Sequence, residues 1–267
     1  MVCGQFYPSD PEELRRDIGS MIAEVKPPKA EGTIRGIIGP HAGYMYSGYT
    51  AAHAYALLRG SKYASVVVVS PSHQEYFDGV TVFPGDSYAT PLGIVDVDRD
   101  LREKVVACAK GAVAVSHAGH RGEHAIEVHL PFLQYMLGEF RFVPLVVGDQ
   151  RKPNCYALGE ALGDALNGGN FLLVASTDLS HYHHSEIARQ LDAIAIEDVK
   201  NFDPDSLMRD LELQHTEACG GGPVVAVMVA LQRLGVHRIS VLHQCNSGDV
   251  TGDHTQVVGY FAAAAYA

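Results

Sequence analysis

Short apolar segments rich in β-branched residues alternate with segments of helical periodicity along this sequence, and this alternation restricts the possible folds most. The predicted strands span residues 34–40, 65–71, 79–84, 141–148, 171–177, 239–245 and 256–265. The predicted helices span residues 10–25, 47–60, 98–110, 123–137, 155–166, 184–201 and 222–235. Four consecutive valines at 66–69 are typical of a strand covered on both faces. Helices between such strands predict one doubly wound, largely parallel α/β sheet with helices on both faces.

The chain has 267 residues, a length that allows one large domain or two ordinary ones. It contains no long linker and no shift in composition. We therefore expect a single α/β domain spanning residues 1–267.

Composition and charge exclude several classes of function. A formal net charge of −11, without a basic stripe, argues against a nucleic-acid partner. No apolar run approaches the roughly 18 to 20 residues that span a bilayer, and the first residues lack the features of a signal peptide. The five cysteines are scattered without a CxxC pair, which is typical of a reducing compartment. We expect a cytoplasmic protein that does not bind membranes.

The sequence contains 14 histidines, and two of them directly follow predicted strands. His41 comes after the strand at 34–40, and His73 comes two residues after the strand at 65–71. In an open α/β sheet, ligands bind outside the carboxyl ends of the strands. Two imidazoles with one anionic ligand form the kind of site that binds a catalytic transition metal.

Further polar residues fall at the same edge of the predicted sheet. Asp178 and His181 follow the strand at 171–177, and Glu217 and Cys219 precede the glycine run at 220–222. The glycines would allow close approach of the backbone, and the following helix N-terminus would favour an anionic ligand or a thiolate.

Ordinary structural roles compete with these interpretations. A single histidine at a strand end usually forms a structural hydrogen bond, and a cysteine in a reducing compartment is usually an inert apolar side chain. Glu123 and Glu127 would share one face of the helix predicted at 123–137, but the HExxH pattern of a metalloprotease is absent. The sequence leaves open the roles of five other histidines: His117, His120, His124, His183 and His184.

Several motifs together resemble the Memo family (mediator of cell motility; in prokaryotes, the AmmeMemoRadiSam system protein B). The resemblance extends over essentially the whole chain and is carried by the segments GQFYPSDPEEL, GPHAGYMYSG, PSHQEYFDGV, YATPLGIVDVD, EHAIEVHLPFLQ, STDLSHY, EACGGGP and GDHTQVVGY. It implies a fold like that of the class III extradiol ring-cleaving dioxygenases, which use non-haem Fe(II).

The resemblance also implies a metal pocket formed by His41, His73 and Cys219. The dioxygenases have a carboxylate at the position of Cys219. A thiolate is softer and shifts the preference toward Cu(I), Zn or thiolate-bound iron. Glu217 is an alternative ligand if its loop turns the carboxylate inward.

We predict a catalytic pair and a substrate-contacting group around this pocket. His181 would be the general acid or base, because the ordinary pKa of imidazole, near 6.5, suits proton transfer at neutral pH. Asp178 would orient it or a ligand histidine. Tyr44, Tyr46 and His129 would line the pocket.

Three functions are compatible with these residues. The first is an Fe(II)-dependent redox enzyme acting on a small oxygenated substrate. The second is a non-enzymatic protein that binds copper, iron or a peptide on the same scaffold, and the third is a metal-free structural protein. The family resemblance further implies radical-SAM and AMMECR-type pathway partners.

Overall fold

The computed structural model describes residues 2–26 and 32–267 of the chain. Its strands, numbered in chain order, are β1 Ile34–Gly39, β2 Ser65–Pro71, β3 Val80–Val82, β4 Ser87–Thr90, β5 Gly93–Val97, β6 Val113–Val115, β7 Arg141–Val147, β8 Phe171–Ser176, β9 His181–His183, β10 Arg238–Asn246 and β11 Val257–Tyr266. Its α-helices are α1 Pro11–Glu24, α2 Tyr44–Tyr55, α3 Arg99–Cys108, α4 Leu130–Leu137, α5 Lys152–Leu166, α6 Ser185–Lys200, α7 Pro204–Glu212, α8 Gly221–Arg233 and α9 Ser247–Thr251.

The strands form one mixed sheet with the order β10-β11-β1-β8-β2-β7-β3-β6. Its central strands β1, β8, β2 and β7 are all parallel, which confirms the predicted α/β class. Toward the edges several pairs are antiparallel, since β11 runs against β1, β10 against β11, and β3 against β7, whereas β6 is parallel to β3. The sequence pattern does not predict these directions. The connection between β10 and β11 is too short for the crossover that a parallel pair requires.

Two apolar cores cover the two faces of the sheet. In β2, Val67 and Val69 belong to the core that includes residues of α5 and α8, whereas Val66 and Val68 belong to the core that includes residues of α1, α2 and α4. Successive side chains of a strand point to opposite faces, so an unbroken valine run fills both cores. The prediction of helices on both faces is confirmed.

One predicted helix is wrong over its first half. The apolar spacing predicts a continuous helix over residues 123–137, but the chain forms a single 3₁₀ turn at Glu127–His129 before α4 begins at Leu130. Pro131 lies at the start of α4, and proline is tolerated there because the first helical turn does not use its missing N–H. Glu123 and Glu127 therefore do not share a helix face.

Some short elements were not predicted at all, among them α7. The sequence at its start is typical of a helix N-terminus. The Asp203 side chain accepts a hydrogen bond from the backbone N–H of Ser206, and Pro204 follows Asp203 directly. The hairpin β4–β5 and the short strands β6 and β9 lack the long apolar runs on which the sequence interpretation depended. The α2 helix begins at Tyr44 instead of residue 47.

Candidate metal centre

Three parallel strands end at the same edge of the sheet, and each is followed within two residues by a polar side chain. His41 follows β1, His73 follows β2 and Asp178 follows β8. Because β1, β8 and β2 are neighbours in the sheet, these side chains lie close together. Cys219 joins them from the loop before α8.

His41, His73 and Cys219 form a compact set of donor atoms. One ligand atom from each lies within 4.8 Å of the others. The Cys219 Sγ atom lies 3.3 Å from His41 Nε2, and the two imidazole rings have centroids 5.0 Å apart at 73°. Two imidazoles and a thiol in this arrangement are able to bind a transition metal ion.

A serine fixes the tautomer of His41. His41 Nδ1 lies 2.7 Å from Ser176 Oγ, and that hydroxyl donates its own hydrogen to the carbonyl oxygen of Ala125 at 2.7 Å. The hydroxyl is therefore an acceptor toward His41, so Nδ1 carries the imidazole hydrogen. The Nε2 lone pair then faces Cys219, and burial with the neighbouring His73 lowers the pKa of His41, which keeps the ring neutral.

A buried glutamate fixes His73 in the same way. Glu123 Oε1 lies 3.0 Å from His73 Nδ1, and its carboxylate also accepts hydrogen bonds from the backbone N–H groups of His73, His124 and Ala125. Burial alone would raise the pKa of Glu123, but the hydrogen bonds from His73 and Ala125 outweigh it and hold the pKa below its ordinary value. A carboxylate at Nδ1 leaves Nε2 as the ligand atom.

We expect Glu123→Gln to weaken metal binding by about 10- to 100-fold, because outer carboxylates orient and polarise ligand histidines. The substitution should also remove a pH dependence of stability. A depressed carboxyl pKa stabilises the fold above the ordinary value of about 4.3, and this stabilisation is lost as the pH falls through the folded value. Metal titration and urea unfolding between pH 3 and 7 measure both effects. Equal affinities of the two proteins would show that Glu123 does not position His73.

Cys219 and Asp178 are held together by their backbones. The N–H of Cys219 donates to the Asp178 carbonyl oxygen at 3.2 Å, and the N–H of Asp178 donates to Cys219 Sγ at 3.2 Å. Burial and the nearby Asp178 raise the pKa of the Cys219 thiol. Its S–H can therefore donate to His41 Nε2, and a bound cation would replace that proton, since thiol ligands are deprotonated by metal ions.

His124 is a residue of this site whose role the sequence left open. Its ring stacks on His73 with centroids 5.0 Å apart and packs against the edge of His41 at 5.4 Å. His73, Glu123 and His124 form a second set of close donor atoms. Glu123 Oε1 already accepts three N–H groups, so this second set is better suited to orienting His73 than to binding an ion. Because a continuous helix was predicted over residues 123–137, the sequence did not show that His124 lies at this site.

His181 and Cys219 line an open cleft of about 550 Å³. His181 Nδ1 donates to the carbonyl oxygen of Leu179 at 2.7 Å, which leaves Nε2 with its lone pair. Burial lowers the pKa of His181, so the ring is neutral near pH 7. Burial also raises the pKa of Asp178 to about 7, despite hydrogen bonds from the backbone of His41 and Ala42.

The residues predicted to contact substrate, Tyr44, Tyr46 and His129, have other contacts in the structure. The Tyr44 hydroxyl is buried and donates to the carbonyl oxygen of Val128 at 2.7 Å. His129 is buried, with Nδ1 at 2.6 Å from the Tyr55 hydroxyl, and Tyr46 borders a separate cavity beside α1. None of the three is among the described residues that line the cleft beside Cys219, and neither are His41 and His73. Their contact with substrate stays a prediction.

Glu217, the alternative third ligand, is hydrogen-bonded to His183. Both of its carboxylate oxygens lie 3.0 Å from His183 Nε2. Glu217 is absent from the described groups whose donor atoms are close enough to share an ion, whereas Cys219 is present. This geometry favours Cys219 over Glu217 as the third ligand.

The other histidines of open role have structural contacts. His117 and His120 pack against the ring of Phe83, and burial lowers the pKa of His120 to about 4. His184 precedes α6, where its side chain accepts a hydrogen bond from the backbone N–H of Glu186 at 3.5 Å.

The fold and the donor set together define an α/β protein with a candidate metal centre at the carboxyl ends of its central strands. The sequence model of a family described as Memo-like protein matches residues 1–264. The chain belongs to the Memo family.

Curated relatives agree with this assignment over nearly the full length. The chain is 38% identical to a MEMO1 family protein of Methanosarcina barkeri over 98% of this chain and 97% of the relative. It is 37% identical to one of Methanopyrus kandleri, over 98% and 96% of the two chains. It is 35% identical to one of Thermoplasma volcanium, over 97% and 94%.

A solved structure shares the fold. The crystal structure of an uncharacterized Escherichia coli K12 protein, JW3007, is similar with a TM-score of 0.53 and covers 86% of this chain and 99% of its own. Its sequence identity is 14%, so the likeness concerns the fold alone. Within the described residues, no helix has the length and apolar character that crossing a membrane would require.

Proposed function

We propose that this protein is a metal-dependent redox enzyme that binds Fe(II) through His41, His73 and Cys219 and acts on a small oxygenated substrate. The proposal rests on the convergence of three donor atoms with both imidazole tautomers already set. Three protein ligands leave coordination positions open, as catalytic metal sites do. Bound Fe(II) would supply a centre that exchanges electrons with dioxygen and with an organic substrate.

His181 is the proposed acid–base residue. Its Nε2 lone pair lies on a ring that borders the same cleft as Cys219, and the bond from Nδ1 to Leu179 prevents the ring from rotating freely. A neutral imidazole in this position can take the proton of a substrate hydroxyl onto Nε2 and return it later.

Asp178 is a positioning residue in this proposal. Its carboxylate Oδ1 accepts the backbone N–H of His41 at 2.9 Å, while its backbone holds Cys219. Asp178 therefore sets the distance between a ligand imidazole and the ligand sulfur, and the mechanism assigns it no contact with substrate.

His181→Gln should lower turnover by about 100-fold or more, the usual size of a general acid–base contribution, with little change in metal affinity. The side chain retains hydrogen bonding but does not titrate, so the pH–rate profile should lose the limb that His181 supplies. Steady-state kinetics with a catechol and an Fe(II) titration measure the two properties separately. A variant with wild-type turnover would remove His181 from the mechanism.

Protein purified without oxygen tests the function as a whole. We expect stoichiometric iron after Fe(II) loading, and dioxygen consumption when simple catechols are added. Iron binding without turnover of any oxygenated aromatic would contradict the enzyme. Absence of stoichiometric metal would contradict the metal centre itself.

A second candidate is a protein that binds copper without turnover. The soft sulfur of Cys219 beside two imidazoles favours it, because thiolate ligands select Cu(I). Competition with a chromogenic Cu(I) chelator distinguishes it from the enzyme, since tight Cu(I) binding with no dioxygen consumption is expected only of the copper-binding protein. Association with radical-SAM and AMMECR-type proteins stays a prediction of the family resemblance.

A further inference from the structure

We propose that the cleft beside Cys219 selects substrates that carry a positive charge, such as an amine, and disfavours carboxylates. The inference rests on the proposed function, because it concerns the molecule that the metal centre would act on. The cleft holds about 550 Å³, enough for a small molecule, and is bordered by His181, Cys219, Leu179 and Met208. The charged groups around these residues decide which substrates enter.

No cationic side chain is unpaired among the described residues that line the cleft. Among the described residues of its lining, Arg151 is the only lysine or arginine. Its guanidinium donates through Nε to Asp149 Oδ2 at 2.7 Å, contacts the same carboxylate through Nη2, and lies 3.7 Å from Asp78. This pairing lowers the pKa of Asp149. The positive charge of Arg151 is therefore already balanced by Asp149, and it offers little attraction to a substrate carboxylate.

The N-terminus of α8 is also closed to anions. The backbone N–H of Gly220 donates to Thr177 Oγ1 at 2.9 Å, that of Gly221 to the carbonyl oxygen of Ala218 at 3.2 Å, and that of Gly222 to Gln150 Oε1 at 2.8 Å. The next residue is a proline, which has no N–H. Helix N-termini bind anions through free N–H groups. Of the two sequence-based alternatives here, an anionic ligand or a thiolate, these occupied N–H groups disfavour a free anionic ligand.

Glu217 supplies a negative charge to the cleft wall. Its side chain is 44% exposed, and it precedes Cys219 by two residues. The hydrogen bond from His183 Nε2 to both of its oxygens holds the Glu217 carboxylate in place. Glu212 lines the same cleft. A substrate with a hydroxyl toward Cys219 and an ammonium toward Glu217 would satisfy both ends of this surface.

Three catechols of similar size but different charge test the selection: dopamine, 4-ethylcatechol and 3,4-dihydroxyphenylacetate. Their dissociation constants are measured on iron-loaded protein without oxygen. We expect dopamine to bind about 3-fold or more tightly than 4-ethylcatechol, the effect of one partly exposed ion pair, and the carboxylate to bind weakest. The preference should shrink as ionic strength rises.

Glu217→Gln should remove most of the preference for dopamine, whereas Glu103→Gln, an exposed residue of α3 outside the cleft, should preserve it. Tightest binding of the carboxylate, or an unchanged preference in Glu217→Gln, overturns the proposed selection. Iron content of the same samples separates the two proposals. Protein that binds no iron overturns the proposed function, and iron-loaded protein with the wrong order of affinities overturns only the charge selection.

Discussion

Cys219→Ala is expected to lower the affinity for Fe(II) by about 100-fold or more. Removing an outer residue that orients a metal ligand costs roughly 10- to 100-fold, so removing a ligand atom should cost at least the upper end of that range. The substitution removes the sulfur and with it the acceptor of the Asp178 N–H, but the backbone hydrogen bond from Cys219 to the Asp178 carbonyl oxygen does not require the side chain. The fold should therefore persist.

Anaerobic Fe(II) titration of the purified variant measures this loss. Cys108→Ala is the matched control, because Cys108 is a partly buried cysteine at the end of α3, outside the donor set. It should bind iron like the wild type. If Cys219→Ala binds iron as tightly as Cys108→Ala does, the sulfur is not a ligand and the proposed centre is wrong.

Gly220→Ala should destabilise the protein by about 1–3 kcal/mol and weaken metal binding together. A Cβ atom at Gly220 would lie 2.0 Å from the backbone carbonyl oxygen of Ser176 and 2.9 Å from Thr177 Cβ. Ser176 ends β8, which is hydrogen-bonded to β1 and β2 on its two sides, so the loop must yield instead of the strand. That movement would displace Cys219.

The backbone of Gly220 makes this a clean test of packing. Its φ of −111° is accessible to alanine, so the expected loss does not come from backbone conformation. Gly60→Ala is the contrasting control, because Gly60 has a φ of +77° and open space around it. It should lose stability through backbone strain alone and bind metal normally. Urea unfolding and Fe(II) titration of both variants measure this. Wild-type metal affinity in Gly220→Ala would contradict the close approach.

The sequence predicted the part of the site that depends on strand geometry. The valine run of β2 marks a buried strand, and residues just past parallel strand ends must share one edge, so strand pattern alone brings His41 and His73 together. Cys219 precedes a helix, and no periodicity places a loop residue in space. Its position came from the family resemblance.

The residues that orient the ligands could not be predicted from periodicity. Glu123 and His124 begin a segment whose apolar spacing favours a helix. The Glu123 carboxylate, however, accepts hydrogen bonds from the backbone N–H groups of the next two residues and so holds the chain in a turn. Local hydrogen bonds of this kind compete with helix formation. The hydrogen bond from the Tyr44 hydroxyl to Val128 is a further contact that nothing in the sequence spacing showed.

The imidazole rings and the sulfur are oriented by largely different side chains, although Asp178 joins the His41 backbone to the Cys219 loop. His73 and His41 are oriented through the turn at 123–125 and Ser176, whereas the Cys219 loop is held by Asp178 and by the Gln150 amide, which donates to the Cys219 carbonyl oxygen at 2.7 Å. The chemical hardness of the third donor is therefore an adjustable property of this scaffold. Natural variation or protein engineering could replace the Cys219 sulfur by an oxygen ligand and leave His41 and His73 unchanged.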